Sequence, residues 1–356
     1  ESDVAQKAQL QELHVIYPDE PATLEPTLAD PATRQRLINI YEPLVRMDRD
    51  LNLRPALALS WGYTDETTWE FRLRPDVLFH DETTFDSEDV AASLKRAMNY
   101  KDSEIVGILN SIKEIEIVDD LTIRLKTYKP DPLLLQRLSL VLILPSEQKE
   151  VDVPIDAPVG TGSYRFVAWT PGESLILQRF ENYWGPKAKF AKIYMIAEPD
   201  KSKRVARFVN GEAEVLDFVP LDAAEYVKAQ GFSLSKIPSL EVQFLMFNFK
   251  SGIFKDKIKR EFFSLAIDTE QLVKAVGGDY ARTISQFVSN GIFGFNPDIL
   301  PHVYDLTKAG ELAKKYGFKG QTVTFHLPKN LELLGEHVRT QLNKIGVDVI
   351  VSYMEM

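Results

Sequence analysis

The sequence predicts an α/β protein of more than one domain, because strand and helix patterns alternate along a long chain. With 356 residues, the chain is long enough for roughly two to three domains and a sizeable core. A strand–helix pair is predicted at residues 69–98, and a strand–helix–strand unit at residues 321–352. No repeat period connects these elements, so we do not expect a solenoid.

The first strand–helix pair shows both periodicities clearly. Residues 69–73 alternate apolar and charged side chains, which is typical of a half-buried strand, and Pro75 ends this run. Asp86 can cap the helix that follows. One face of that helix is apolar, at Val90, Leu94 and Met98.

Other segments give weaker patterns of the same kind. Apolar residues alternate on both sides of Asp119-Asp120, which predicts a β-hairpin. Residues 13–17 predict a strand and residues 36–45 a helix. Residues 241–249 carry apolar side chains on both faces, which predicts a central strand buried on each side. The C-terminal strand–helix–strand unit is predicted at residues 321–327, 331–345 and 347–352.

Charge and composition exclude several classes of protein. A net charge of −10 argues against a nucleic-acid partner, because phosphate binding needs a basic face. The chain has no cysteine, which excludes disulfides and cysteine-ligated metal sites. No apolar run approaches the ~20 residues of a membrane span. Glu1-Ser2-Asp3 opens directly into polar sequence, as expected for a processed secreted protein or a trimmed chain.

Recognisable motifs for catalysis or metal binding are absent from the sequence. The five histidines form no i,i+4 pair. There is no Gly-x-Ser-x-Gly elbow, no Walker loop and no Gly-x-Gly-x-x-Gly after a strand. We therefore expect no enzyme, no bound metal and no cofactor. His80, in Phe79-His80-Asp81, is expected to be a turn residue satisfied by its neighbours rather than a ligand.

Several short motifs occur in a fixed order along the chain. They are Tyr41–Val45, Trp69–Arg74, Phe79-His80-Asp81, Phe85-x-x-Glu88-Asp89-Val90, Gly160–Tyr164, Asn182–Gly185, Phe247-Asn248 and Ala266–Asp268. In their sequences and in their order along the chain, these motifs resemble those of the family 5 extracellular solute-binding proteins, the peptide- and nickel-binding receptors of ABC importers. The resemblance covers nearly the whole chain. One departure is Glu82, which stands where the family usually has a glycine and puts the local turn geometry in question.

This resemblance implies a specific architecture. The expected fold is a two-lobed α/β structure of the periplasmic-binding-protein type II kind, with an additional α+β domain inserted in the first lobe and an incomplete second lobe. The expected segments are 1–45 (lobe I), 46–159 (inserted domain), 160–267 (lobe I again) and 268–356 (lobe II). Family members continue beyond a strand like 347–352, so the chain resembles a fragment or an unusually short member ending at Met356. We therefore expect lobe II to expose a sheet edge and apolar surface.

The resemblance also implies a function and a set of ligand-binding residues. A monomer is expected to capture a peptide or peptide-like solute between its lobes and to deliver it to an ABC transporter permease, without catalysis. Its expected location is the periplasm or the extracellular face of the membrane. The candidate ligand-binding residues are Asp30, Tyr100, Phe247 and Asn248.

Each candidate also has a structural alternative. Asp30 matches an acidic position beside the ligand, but it is equally suited to cap a helix before Pro31. Asn248 ends the predicted buried strand, where its amide either binds ligand or braces the hinge. Phe247 and Tyr100 are candidates for the pocket wall, with a core position and a solvent-facing position as their alternatives.

Other functions remain open at this stage. They are a non-transport interaction or sensor protein that reuses the fold, a receptor for a non-peptide solute such as a metal chelate, and a hydrolase. Residues 138–145 lack the basic residue that nickel-chelate receptors place before the proline, which argues against a chelate. A hydrolase needs a nucleophile–base pair that the sequence does not supply. The aspartate that pairs with a peptide amine in the family lies beyond this chain and is not assigned.

Overall fold

The computed structural model divides into two compact units, Glu1–Leu234 (unit 1) and Ser235–Met356 (unit 2). The structure describes residues 12–148, 150, 153–237, 239–250, 252–318 and 320–354, without the side chain of Asn330. The expectations for the Glu1-Ser2-Asp3 start and the Met356 end fall outside these ranges. Each unit is treated by itself.

Unit 1 is a mixed α/β structure. Its strands are β1 (Glu12–Tyr17), β2 (Glu42–Pro43), β3 (Val45–Met47), β4 (Leu53–Pro55), β5 (Ala58–Asp65), β6 (Thr68–Leu73), β7 (Ile112–Asp119), β8 (Thr122–Thr127), β9 (Leu142–Ile143), β10 (Tyr164–Thr170), β11 (Ser174–Arg179), β12 (Lys192–Ala197) and β13 (Val215–Leu216). Its α-helices are α1 (Pro31–Leu37), α2 (Ser87–Asn99), α3 (Leu134–Leu138), α4 (Lys201–Val209) and α5 (Ala224–Ala229). Short 3-10 helices occur at Val106–Leu109, Ser146–Gln148 and Leu221–Ala223.

A five-stranded sheet in the order β10-β11-β12-β1-β13 forms one layer of unit 1. Strand β1 pairs in parallel with both β12 and β13. Val15 and Ile16 point to opposite faces, because side chains alternate along a strand. Both are buried, and each belongs to a separate apolar cluster. The strand predicted at 13–17 is therefore confirmed, and it is an interior strand covered on both faces.

The helix predicted at residues 36–45 is wrong. Helix α1 begins at Pro31 and ends at Leu37, and β2 and β3 follow. Pro43 has no N–H and does not suit a helix interior. The carbonyl of Ile40 instead accepts from the N–H of Gly162, at 2.8 Å. The chain after α1 is thus held by the Gly160–Tyr164 segment rather than by its own helical turn.

A second sheet in the order β5-β6-β8-β7 packs against helix α2. All its pairs are antiparallel, and β7 and β8 form the predicted hairpin, with Ile117 opposite Ile123. The three apolar residues of the predicted first strand, Trp69, Phe71 and Leu73, are all buried. The strand–helix pair predicted at residues 69–98 is therefore confirmed.

Unit 2 has a smaller core formed by helices and one strand pair. Its elements are α6 (Lys257–Ala266), α7 (Thr269–Val276), α8 (Leu306–Tyr316), β14 (Thr322–Pro328), α9 (Glu332–Asn343) and β15 (Asp348–Met354), with 3-10 helices at Gly252–Lys255, Gly278–Tyr280 and Lys329–Leu331. Strands β14 and β15 are parallel, and α9 connects them with the short 3-10 helix, so the predicted strand–helix–strand unit is confirmed. The expected apolar exposure is also present, for example at Ile350 (55% exposed).

Residues 241–249 do not form the predicted buried strand. None of the described residues pairs with this segment in a sheet, and Phe244 and Met246 are exposed. A strand needs a neighbouring strand to satisfy its backbone groups. An apolar pattern indicates which side chains favour burial, but it does not indicate whether a neighbouring strand is present to pair with the segment.

Glu82 occupies a backbone conformation that usually belongs to glycine. Its φ is 70°, in the left-handed region. The turn closes by two hydrogen bonds of 2.9 Å, from Glu82 N–H to the Phe79 carbonyl and from Phe79 N–H to the Thr83 carbonyl. The glycine usual in the family is therefore replaced here without loss of the turn, but with a strained residue.

We expect Glu82→Gly to raise the free energy of unfolding by about 0.5–1 kcal/mol, because glycine adopts positive φ without a Cβ clash. The exposed Glu82 side chain contributes no packing that this change would remove. Urea denaturation of both proteins measures the difference. Glu82→Ala is the control, since it keeps the Cβ. A similar gain with alanine would show that backbone strain is not the cause.

Candidate functional site

A buried ion pair joins the loop before α1 to helix α2. Glu25 and Arg96 are each 1% exposed, and Glu25 Oε2 lies 2.6 Å from Arg96 Nη2. Arg96 Nε also donates to Glu25 Oε1, at 3.2 Å, so the contact is two-pronged. Glu25 accepts a further hydrogen bond from the Thr27 hydroxyl, at 2.8 Å, and one from Ile155 N–H, at 3.3 Å.

The guanidinium of Arg96 is satisfied on all three nitrogens. Besides Glu25, it donates to three backbone carbonyls: those of Gln148 (3.2 Å), Glu150 and Val153 (2.7 Å). A buried charge pair is tolerated only when such extra hydrogen bonds replace the lost hydration. The pair therefore fixes the loop before α1 and helix α2 to each other and to the backbone of Gln148, Glu150, Val153 and Ile155.

Two of the predicted ligand-binding residues lie on segments that this arrangement brings together. The N–H of Ala29 donates to Glu104 Oε2, at 2.7 Å, and Glu104 N–H donates to the Thr27 carbonyl, at 3.2 Å. The chain around Asp30 is therefore bound to the segment that follows Tyr100. Asp30 and Tyr100 thus belong to adjoining segments of unit 1.

Asp30 caps helix α1. Its Oδ2 accepts from Thr33 N–H, at 2.7 Å, and Pro31 takes the first helical position. The capping alternative is therefore realised in the structure. The carboxylate stays half-buried rather than enclosed, so capping does not remove it from the surface.

Tyr100 is buried rather than solvent-facing. It is 8% exposed, and Arg96 Cζ lies 5.0 Å from the centre of its ring. Burial raises the pKa of Tyr100, the nearby carboxylates of Glu25 and Asp102 raise it further, and Arg96 opposes them. The phenol is therefore neutral at physiological pH, beside the buried ion pair.

The other two candidates belong to unit 2. Asn248 is exposed, and its Oδ1 accepts from Lys250 N–H, at 3.0 Å, so the expected buried amide at a strand end is wrong. Phe247 is half-buried. Its ring centre lies 4.9 Å from that of Phe254 and 6.4 Å from that of Phe263. Phe247 therefore packs on the core of unit 2, which was its structural alternative.

Sequence reasoning missed the role of Glu42. This buried carboxylate accepts from the Tyr183 hydroxyl (2.8 Å), from Trp184 Nε1 (2.8 Å) and from the Thr161 hydroxyl (3.0 Å). Burial raises the pKa of Glu42, and these three donors oppose that shift. The sequence did contain a signal for this role. Glu42 lies in the motif Tyr41–Val45, and its three donors lie in two other motifs of the resemblance, Gly160–Tyr164 and Asn182–Gly185.

The Gly160–Tyr164 segment needs glycine for close approach. A Cβ on Gly160 would collide with the Ile40 carbonyl, and one on Gly162 would lie 2.5 Å from the Asn39 carbonyl oxygen. His80 holds the same segment from the other side. Its Nε2–H donates to the Gly162 carbonyl at 2.9 Å, and its Nδ1 accepts from Gly160 N–H at 3.3 Å. His80 is therefore a turn residue satisfied by its neighbours, as predicted.

The described ranges offer no arrangement for resident metal chemistry. Within them, no group of three or more histidine and carboxylate side chains is placed to hold a metal ion. None of the helices in the same part of the chain is long and apolar enough to cross a lipid bilayer.

We expect Arg96→Met to lower the free energy of unfolding by about 3–5 kcal/mol, because Glu25 would be left buried without its partner. Chemical denaturation measures the loss. The double variant with Glu25→Gln should lose less than the sum of the single variants, because the pair acts as one unit. Arg54→Met is the control and should change stability little, since Arg54 is 57% exposed and its ion pair with Asp48 is at the surface. Additive losses would contradict the pairing.

We expect His80 to contribute to the pH dependence of the free energy of unfolding. Burial lowers its pKa from 6.5 to about 4; the hydrogen bond to the Gly162 carbonyl and the charge of Asp81 oppose this shift, and the charge of Arg165 adds to it. As the pH falls, His80 is therefore protonated in the unfolded chain before it is protonated in the folded protein. The stability contribution is complete above pH 6.5 and falls by roughly 3 kcal/mol as the pH drops towards 4.

His80→Gln tests this component, because glutamine can donate and accept but does not titrate between pH 4 and pH 7. The difference in free energy of unfolding between wild type and variant should change across this pH range. A constant difference would show that His80 does not titrate as the structure indicates.

Comparison with known proteins places these features in a family. The model of the bacterial extracellular solute-binding proteins, family 5 Middle, matches residues 52–356. The glutathione-binding protein GsiB of Pectobacterium atrosepticum is 29% identical over 349 residues, which span 94% of this chain and 67% of that protein. This chain thus spans about two thirds of the length of the curated relatives it matches.

Solved structures share the fold. NikA from Brucella suis in complex with Fe(III)-EDTA matches with a TM-score of 0.89 and 24% identity, over 97% of this chain and 75% of that chain. DppA from Helicobacter pylori in complex with the peptide STSA matches with a TM-score of 0.78 and 27% identity, over 98% of this chain and 75% of that chain. The predicted α/β fold class of periplasmic binding proteins is confirmed. Because the family match extends over residues 52–356, the chain belongs to the bacterial extracellular solute-binding proteins of family 5.

Proposed function

We propose that this chain is the solute-binding part of a receptor that captures a peptide or peptide-like solute and delivers it to the permease of an ABC importer. The match to the solute-binding family over residues 52–356 carries this proposal. The relative named for glutathione and the neighbour with a bound tetrapeptide support a peptide-like ligand. The receptor acts as a monomer outside the cytoplasmic membrane and does not transform the solute.

The proposed organisation keeps the four segments 1–45, 46–159, 160–267 and 268–356. Two observations in unit 1 support the division between the first three of these segments. The sheet β5-β6-β8-β7 and helix α2 share one core and come from the second segment alone. The five-stranded sheet draws β1 from the first segment and β10 to β13 from the third, as a lobe formed by two segments requires.

Peptide receptors of this kind bind mainly through main-chain hydrogen bonds, with charged side chains holding the ends of the peptide. Asp30 is the proposed partner of a solute amine. Its hydrogen bond to Thr33 uses Oδ2, so Oδ1 is available to accept from the ligand. Tyr100 is the proposed wall beside it. Phe247 and Asn248 in unit 2 are kept as proposed contacts, with Asn248 offering an exposed amide to a peptide main chain.

Native mass spectrometry of the protein purified from its own cells tests the proposed function. We expect a bound solute whose mass, after denaturation, fits a short peptide or peptide conjugate. A metal–chelate mass would identify a receptor for a non-peptide solute instead. Protein without solute that also binds no peptide of a broad panel would favour a sensor or interaction protein. Enzyme-dependent cleavage of such peptides would overturn the proposal.

The role of Asp30 can be separated from its helix cap. Asp30→Asn keeps the cap, because asparagine is as good an N-cap residue, but it removes the charge. We expect affinity for a free-amine peptide to fall about tenfold, and affinity for the N-acetylated form to stay unchanged. Calorimetric titration measures both forms, and an unchanged melting temperature shows that the cap survives. Equal losses for the two forms would contradict an amine contact at Asp30.

A further inference from the structure

Helix α1 carries two arginines in different surroundings. Arg36 is 1% exposed, pairs with Asp19 at 2.7 Å and lies 3.6 Å above the centre of the Tyr17 ring. Arg34 is half-buried, and among the described residues its side chain has no hydrogen bond, ion pair or ring contact. Its Nη1 is shielded from solvent and has no partner there.

An unpaired guanidinium in this position is costly to the fold. A buried charge loses its hydration, and arginine cannot escape that cost by releasing its proton at physiological pH. Burial lowers the pKa of Arg34, but the group stays charged. The guanidinium groups of the fully buried Arg96 and Arg204 do have partners, since Arg96 binds Glu25 and Arg204 Nη1 donates to the Glu198 carbonyl at 2.7 Å. Arg204 Nε alone lacks a partner among the described residues, whereas for Arg34 the whole guanidinium does. Arg34 is therefore available to a partner from outside the described residues of unit 1.

The location of Arg34 indicates what that partner is. Its N–H donates to the Asp30 carbonyl at 3.0 Å, one helical turn away, so the two side chains start from one face of α1. Among the described residues they form no ion pair with each other, and Asp30 Oδ2 accepts from Thr33 N–H. A cation and an anion thus start one helical turn apart on this face, without an ion pair between them among the described residues. This arrangement suits a solute that carries both an amine and an acid.

We propose that Arg34 binds a carboxylate group of the solute through its guanidinium fork. A planar carboxylate matches the two parallel N–H donors of arginine, which gives a short, charge-assisted contact. The solute class is therefore a carboxylate-bearing compound, such as a peptide with a free C-terminus or an acidic side chain. The identity of the solute rests on the proposed function above, whereas the carboxylate site itself can be tested without it.

The first test observes the Arg34 side chain directly. Protein labelled with 15N in the arginine side chains is titrated with N-acetyl-alanyl-alanine and, separately, with its carboxamide. The Nε–Hε resonance of Arg34 is assigned by its loss in Arg34→Gln. We expect the acid to shift this resonance, the amide to leave it unchanged, and the resonance of exposed Arg54 to stay in place with both. No shift with the acid, or equal shifts with both compounds, would overturn the proposal.

The second test separates binding from folding. For a carboxylate-bearing peptide that binds wild type, Arg34→Gln should weaken affinity by about 10- to 100-fold, and Arg34→Lys should lose less because it keeps the charge without the fork. The melting temperature of Arg34→Gln should stay equal or rise, since an unpaired charge is removed, whereas Arg36→Gln should melt earlier. A lower melting temperature with unchanged affinity would assign Arg34 a structural role and overturn the proposal.

The outcomes also distinguish the two proposals. If no peptide binds wild type but the acid still moves the Arg34 resonance, the peptide receptor is wrong and the carboxylate site stands. If peptides bind wild type and Arg34→Gln equally, the receptor stands and the carboxylate site is wrong.

Discussion

The arrangement of unit 1 depends on the charge pair between Glu25 and Arg96. An apolar contact accepts many neighbours of similar size, whereas a buried charge accepts only a partner of opposite sign in the right geometry. Here each ion also takes hydrogen bonds from or to the backbone, so neither can move without leaving the other unsatisfied. The loop that carries Asp30 is therefore held in one position against α2, with Tyr100 beside the same pair.

Much of the fold follows from local periodicity. The strand at residues 69–73, helix α2, the hairpin of β7 and β8 and the C-terminal strand–helix–strand unit each bury a defined face, so their sequences show it. The failures have physical causes of another kind. Residues 241–249 have the apolar pattern of a buried strand, but no described strand pairs with them. Residues 36–45 form little helix because the backbone after α1 binds the Gly160–Tyr164 segment.

The candidate site was less predictable than the fold. The family resemblance implied Asp30 and Tyr100 as candidates, and the structure places them on adjoining segments. The groups that organise this region could not be recognised, because a sequence shows a charged residue but not its partner. Glu25 and Arg96 are 71 positions apart, and Glu42 meets Trp184 across 142 positions. Arg34 is the reverse case, since its importance comes from lacking a partner in the described part of the chain.

The interior position of β1, between β12 and β13, has a consequence for the order of folding. This strand lies near the start of the chain, yet its neighbours β12 and β13 are residues 192–197 and 215–216. During synthesis, the ribosome must therefore produce most of unit 1 before the five-stranded sheet can close. The sheet β5-β6-β8-β7 and helix α2 complete themselves earlier, from contacts nearer in sequence. A nascent chain that has emerged from the ribosome as far as Ile143, the last buried residue of this core, should already hold the smaller structure, with β1 still unpaired.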